Sequence, residues 1–277
     1  MYSQISVSGE DAQSFLQGQL TQDLDLVTSG HSPLAGWCTP QGRVVAVMRL
    51  LLLPGGFGLV MPTAIVHDVI DGLSIYKLRA RVSLKPSGER WRAQAIANST
   101  DIELLNARHL MPPAERNASC HADGIHVVCP SVEKDYLEVY GEDAAFSIAG
   151  LDFVKPLSND DWQASRISHG ITDIVPATSG KFTPHMLNMD KLGALSFDKG
   201  CYTGQEIVAR TQHLGSVKRR VSRFRAAAPV AIGDSVSLDG TTVGEIVAAA
   251  EHEVLAVLPV ALQQVGLHAA EIALEPC

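Results

Sequence analysis

Lys199-Gly200-Cys201-Tyr202-Thr203-Gly204-Gln205-Glu206 brings an amine, a thiol and a carboxylate together within eight positions that include two glycines. A cysteine on a tight turn just before a helix is favoured as thiolate, because the unpaired N–H groups and the helix dipole present partial positive charge there. Lys199 adds a full charge two residues away. That combination suits nucleophilic, redox or metal-ligating sulfur chemistry. Thr203 and Glu206 stand at the T-x-x-E spacing of a capping box, so a helix is predicted to begin near Gly204 and to run through Arg210. Gly200 and Gly204 leave the backbone free to turn sharply and to let another group come close. The same residues also allow a plainer reading, a small buried cysteine in a capped turn.

Other residues of reactive type are scattered. Cys120-His121 and His126-x-x-Cys129 supply four metal-type side chains, but an Asp123-Gly124 turn puts them on two strands of a hairpin, where side chains alternate between faces. No Cys pair two to four residues apart marks a structural zinc, and no C-x-x-C run can hold an iron–sulfur cluster alone. A permanently bound metal is therefore not predicted; Cys201 is a candidate for transient cluster ligation only. His185 and His213 are the nearest imidazoles to Cys201 in sequence. Lys218-Arg219-Arg220 with Arg223 and Arg225 forms a basic run, read as the solvated face of a strand, with an acidic protein or RNA as the alternative partner. A serine nucleophile elbow, a phosphate loop and H-E-x-x-H are all absent from the sequence.

The elements that must position these residues follow from periodicity. Ile5 and Val7 alternate with serines as a strand, and Asp11 to Leu20 has a helical apolar face. Strands are predicted at Leu34 to Trp37, Val44 to Leu53 and Phe57 to Val60, then a helix from Thr63 to Tyr76. A comparable pattern follows: strands at Arg92 to Ala97, Gly124 to Cys129 and Asp135 to Tyr140, a helix at Glu142 to Ile148, and another at Asp160 to His169 capped by Asn159 or Asp160. After Arg210 come short strands, Lys218 to Ala226, Ser235 to Leu238, Thr242 to Ala249 and Val254 to Val260, with Asp239-Gly240 as a hairpin turn. This organisation predicts a body over 1–210, made of two pseudo-repeated lobes (about 1–90 and 91–210), and a small β-barrel over 211–277.

Composition sets the limits. The 277 residues are 46% hydrophobic, enough for a sizeable core. No apolar stretch is long enough to span a membrane, and Met1-Tyr2-Ser3-Gln4 lacks the pattern of a signal peptide. Five cysteines at scattered spacings do not make a disulfide framework, so a reducing, cytoplasmic location is expected. A net charge of −8 argues against tight direct binding to nucleic acid, which depends on Lys and Arg neutralising phosphates.

The K-G-C-Y-x-G-Q-E run resembles the signature of YgfZ-type proteins, folate-binding relatives of the glycine-cleavage aminomethyltransferase. Gly9-Glu10-Asp11-Ala12 with Phe15 to Asp23, Cys38-Thr39-Pro40-Gln41-Gly42-Arg43, and Gly193 to Phe197 are similar to further segments of that family. The resemblance implies an α+β, GcvT-like fold: a two-lobed, ferredoxin-like folate-binding body with a C-terminal β-barrel. It also implies a role in iron–sulfur cluster assembly or repair and, through client enzymes such as a tRNA methylthiotransferase, in tRNA modification. Cys201 would be the functional thiol with Lys199 beside it, and Gly200, Tyr202, Gly204, Gln205 and Glu206 would hold the loop. For tetrahydrofolate the resemblance points to Trp162, with Tyr2 at the place of a second family tryptophan and Arg166 or Lys181 for the glutamate tail. Two departures oppose aminomethyltransferase chemistry: Val44-Val45-Ala46-Val47 replaces a segment with a catalytic Asp pair, and Ser168 replaces a pterin-binding Glu. The alternative is a folate-dependent one-carbon transferase with altered catalytic groups.

Overall fold

The computed structural model describes residues 1–87, 91–131, 136–154, 157–262 and 265–277. In chain order the first lobe contains β1 (Tyr2–Ser8), α1 (Ala12–Gln17), β2 (Leu34–Cys38), β3 (Val44–Leu53), β4 (Gly56–Pro62), α2 (Val66–Lys77) and β5 (Ser83–Pro86). The second contains β6 (Trp91–Ile96), α3 (Ser99–Ala107), β7 (Ser119–Ala122), β8 (Ile125–Val128), β9 (Leu137–Glu142), α4 (Asp143–Ile148) and α5 (Asn159–Ser168). Asp135, the first residue of one predicted strand, lies outside the described residues.

Both lobes contribute to one nine-stranded sheet of order β2-β3-β4-β1-β6-β9-β8-β7, with β5 also on β1. The order mirrors itself about the β1–β6 junction, where, among the described residues, Tyr2 pairs with Trp91. The run Val44 to Leu53 is almost wholly buried because the sheet is covered on both faces: Ala46, Met48 and Leu50 pack under α1 and α2, while Val47, Arg49 and Leu51 face the middle of the molecule. Burial on both faces is the usual reason for an unbroken apolar strand.

A long connection then leads to α6 (Gln205–His213) and to the strands β10 (Arg219–Ala226), β11 (Ser235–Leu238), β12 (Thr241–Ala250), β13 (Glu253–Pro259), β14 (Leu267–Ala269) and β15 (Ile272–Pro276). These close into a barrel of order β10-β13-β12-β11-β14-β15. Asp239 and Gly240 both take positive φ, 48° and 77°, as the hairpin turn requires. Among the described residues no helix is long and apolar enough to cross a membrane.

Local differences from the sequence reading have physical causes. The first helix ends at Gln17 and not at Leu20, because Leu20 leaves helical conformation to bridge Trp37. Helix α3 was not anticipated; Asn98 caps it by accepting from the Asp101 N–H at 2.8 Å. The cap of α5 is Ser158, whose hydroxyl accepts from the Asp161 N–H at 3.1 Å, in place of Asn159 or Asp160.

Candidate functional site

Three segments far apart in sequence meet at the cysteine loop. Thr21 Oγ1 donates to the Ala194 carbonyl at 2.7 Å, Gln22 Nε2 to Gly193 O at 2.6 Å, and the Ser196 N–H to Thr21 O at 2.9 Å. Lys199 Nζ donates to Leu20 O at 2.8 Å and Gln22 O at 2.7 Å, and the Thr203 N–H reaches Gly18 O at 3.2 Å. The third segment is the hairpin Cys38 to Arg43. Its contact with the loop depends on glycine: a Cβ on Gly204 would lie 2.6 Å from Thr39 O, and one on Gly42 would lie 2.9 Å from the Ile207 Cβ. Gly204 is the N-cap of α6 at φ 85°.

Cys201 is exposed at the tip of this assembly, whereas Tyr202 beside it is buried. A shallow cleft of about 640 Å³ lies here, lined by Pro40, Tyr76, Cys201, Tyr202, Gln205 and Glu206 among others. Exposure excludes the reading of Cys201 as a packing residue. The capping box does not form, however: Thr203 Oγ1 turns to Gln19 Oε1 at 3.3 Å, and Glu206 pairs with Arg210 at 2.6 Å. Gly204 makes the turn by its backbone alone, and Gln205 closes it through its N–H to Tyr202 O at 3.1 Å. Gly200 has open space around its Cα, so close approach is the property of Gly204 and not of Gly200. Lys199 is likewise a loop anchor, half-buried across the Tyr202 ring, and burial pushes its ammonium down to about 8 although Asp23 and Asp25 oppose this. His185 is buried on Gln212 at 3.0 Å, and His213 packs edge-on to Phe197.

A second polar centre lies between the lobes. Glu138 Oε2 accepts from Arg49 and from the Tyr140 hydroxyl, each at 2.6 Å; Oε1 accepts from Arg166 at 2.5 Å and Tyr136 at 3.2 Å. Arg49 also donates to Ser32 O and Asn117 Oδ1, and Arg166 to Asp173 at 3.0 Å. Burial raises the Glu138 carboxyl, but Arg166 and Arg49 outweigh it and hold it down at about 2. Arg166, expected to meet a folate tail, is thus 2% exposed and committed to two carboxylates. Lys181, the other candidate, pairs with Glu245 at 2.6 Å. Sequence reasoning missed Glu138 and Arg49. The signal was present as a charge set between apolar neighbours in each of two strands, a placement that demands a buried partner.

Tyr2 and Trp162 do come together, edge to face at 5.4 Å between ring centres, and the Tyr2 hydroxyl donates to Asp173. Beside them is a cavity of about 540 Å³ lined by Trp91, Arg92, Gln94, Asp143, Asn159 and both aromatics, among others. On the β7–β8 hairpin His121 and His126 stack at 5.6 Å, while Cys129 is buried and donates to Ser131 O. The basic run is largely paired: Arg220 with Asp190, Arg223 and Arg225 with Glu253, and Arg219 with the carbonyls of Val243 and Val257.

A scan against models of protein families finds no match. The chain is 28% identical over 219 residues to the tRNA-modifying protein YgfZ of Colwellia psychrerythraea, an alignment covering 79% of this chain and 67% of that protein. It is 29% identical to the proteins of the same description from Hamiltonella defensa (78% and 65%) and Escherichia fergusonii (77% and 66%). The matched region thus spans about two thirds of the relatives' own length. Among solved structures, the glycine cleavage system aminomethyltransferase T of Bartonella henselae superposes with a TM-score of 0.73 at 16% identity, covering 99% of this chain and 82% of that one. The fold is that of the aminomethyltransferase, and the sequence resembles YgfZ.

Proposed function

We propose that this YgfZ-like chain is a folate-binding accessory protein of the cytoplasm that supports iron–sulfur cluster assembly or repair in client enzymes and, through them, tRNA modification. The observation that carries this reading is the presentation of Cys201. Three remote segments are tied together by buried and half-buried hydrogen bonds, and their combined effect is to hold one exposed thiol outward in a shallow cleft. A fixed, accessible thiol suits contact with a partner protein or with a cluster passed as cargo. The assembly proteins and a client tRNA methylthiotransferase are the partners this implies.

Folate fits the residues present, with one change of assignment. The cavity beside Trp162 offers aromatic walls for a flat pterin, from Trp91, Trp162 and Tyr2, and the polar groups of Asn159 and Gln94 at its edge. The cation that faces it is Arg92, which bonds Asp143 at 3.0 Å through Nε and lies over the Phe146 ring. Arg92 would take the tail carboxylates in place of Arg166. Bound folate would supply one-carbon chemistry or a structural ligand. The segment Val44 to Val47 carries no carboxylate, and Glu138 is locked between two guanidinium groups, so neither position supplies the transferase reading with an acid or base.

The test is complementation. In a strain lacking the protein and grown under oxidative stress, wild type and Cys201→Ser are expressed at matched levels and the activity of a tRNA methylthiotransferase is measured. Restoration by wild type and not by the serine variant is expected. Equal restoration by both would make the loop mere scaffolding; failure of both would count against the cluster role and bring the transferase forward.

A further inference from the structure

Strand alternation in the β7–β8 hairpin sorts its four metal-type side chains onto two faces. Cys120 and Cys129 turn with Ile125 and Val127 into the apolar core of the second lobe. His121 and His126 turn the other way and line a cavity of about 580 Å³. The turn fixes how they meet. Asp123 and Gly124, both at positive φ (51° and 79°), form a two-residue loop closed by the pair Ala122 and Ile125. Hydrogen-bonded and non-hydrogen-bonded pairs alternate outward from a closing pair, so His121 and His126 stand directly opposite each other in a non-hydrogen-bonded pair. That is the type in which Cα atoms come within about 4.5 Å and side chains lie closest. The two ring centres are 5.6 Å apart.

Both rings are open. Among the described residues neither has a hydrogen-bond partner, and His121 is exposed. His126 is 7% exposed, yet its ring nitrogens are not sealed from the cavity. A largely buried imidazole normally bonds through its nitrogens, so this one has capacity to spare. Its backbone is rigid, because β8 is held between β7 and β9 with His126 opposite Tyr140. Two imidazoles bound to one ion through metal–nitrogen bonds of about 2.0–2.1 Å have ring centres on the order of 5 Å apart, so the pair needs little movement to chelate. The charged residue among the described lining residues is Glu142, whose sign favours a cation. Among the described residues no group of three His, Cys, Asp or Glu side chains can hold a metal. Water must therefore complete the coordination, and the ion exchanges.

We propose that His121 and His126 chelate one exchangeable late first-row divalent ion, zinc being the reference case, with its remaining coordination positions open to water in the cavity. Imidazole suits zinc, copper and nickel, whereas magnesium and calcium prefer oxygen. The inference is independent of the role of Cys201 and of folate.

The test uses the full chain with its exposed thiols, Cys201 and Cys277, alkylated so that they do not compete. Zinc ion alone is titrated at neutral pH by calorimetry and by NMR of the imidazole C–H signals. One equivalent should bind and shift two imidazole signals, those missing in His121→Asn and His126→Asn. Each variant should weaken binding by about 100-fold, since loss of a ligand costs at least what loss of an outer-shell partner does. His121 is exposed, so His121→Asn keeps the test decisive if His126→Asn fails to fold. Nickel should bind more tightly than cobalt, and cobalt more tightly than manganese. No zinc binding at concentrations up to about 1 mM, or wild-type affinity in His121→Asn, would overturn the proposal. Magnesium binding as tightly as zinc would overturn it too, by assigning the cation to carboxylate oxygen.

Discussion

Replacing Glu138 by Gln removes the charge that two buried guanidinium groups share. Arg49 and Arg166 are 1% and 3% exposed in their side chains and Glu138 is 0% exposed, so no water can take over the lost interaction. Arg166 keeps Asp173, but Arg49 keeps only neutral acceptors, the Ser32 carbonyl and Asn117. Breaking such a pair from one side costs about 3–5 kcal/mol, chiefly the burial of the charge left behind. A second route gives a similar size. The Glu138 carboxyl is held at about 2 from an ordinary 4.5, and at about 1.4 kcal/mol per unit that is roughly 3 kcal/mol of preference for the ionised form in the fold. Thermal unfolding at pH 7 followed by circular dichroism should show the melting temperature of Glu138→Gln lowered by about 6–12 °C. The sign of the pH dependence follows from the depressed value. The stabilisation is complete above about 4.5 and is lost as pH falls through about 2, so wild type should lose its margin over the variant across that window. Adding Arg49→Met should recover part of the loss, since the unpaired cation is then gone. A change under about 1 kcal/mol, or a margin unchanged between pH 5 and pH 2, would refute the account of this centre as a charge-balanced lock between the lobes.

Gly204→Ala should destabilise the chain by about 2–5 kcal/mol, from left-handed backbone strain and from overpacking, because its Cβ would strike the Thr39 carbonyl at 2.6 Å; a variant as stable as wild type in urea titration would disprove the contact between loop and hairpin. Native thiol titration with an aromatic disulfide should find Cys201 and Cys277 fast, with Cys38 and Cys129 reacting only on unfolding, since burial pushes the Cys38 thiol up to about 12; prompt labelling of Cys38 would show that the hairpin does not cover it.

The fold was legible where pattern and packing agree. Alternation, helical faces and the two Asp-Gly turns located the strands of both lobes other than β5, a four-residue strand with no buried residue that is held by its pairing with β1, and the first four of the barrel, because those signals are local. Helix α3 was missed since its apolar face is thin, with Leu105 its one buried residue. Strands β14 and β15 are three and five residues long and owe their pairing to barrel closure, which no local pattern encodes. At the site, Cys201 and the turn at Gly204 were readable from spacing. The partners of Arg49 and Arg166 were not: Arg49 finds Glu138 across 89 positions, through the order of strands in the shared sheet. A charged residue in an apolar strand announces that a partner exists, but register decides which one.

The reassignment of Lys199 shows how the site is built. Read as sequence, an amine two residues from a thiol is an electrostatic activator. In the fold its ammonium reaches away to two carbonyls of the segment after α1, so the same side chain that would have charged the loop fastens it. A lysine neutralised above about 8 can still donate two N–H bonds, and the fastening therefore does not depend on the charge. Thr203 repeats the choice. Its hydroxyl, free to cap α6, turns to Gln19, and Gly204 starts the helix without a side-chain cap. Lys199 and Thr203, which local spacing assigned to the thiol and the helix cap, are drawn to the N-terminal segment, and Glu206 pairs with Arg210 one turn along α6. What remains at the tip is a thiol with its surroundings fixed and its own face open, which is the arrangement a transfer or docking surface needs and a packing residue does not.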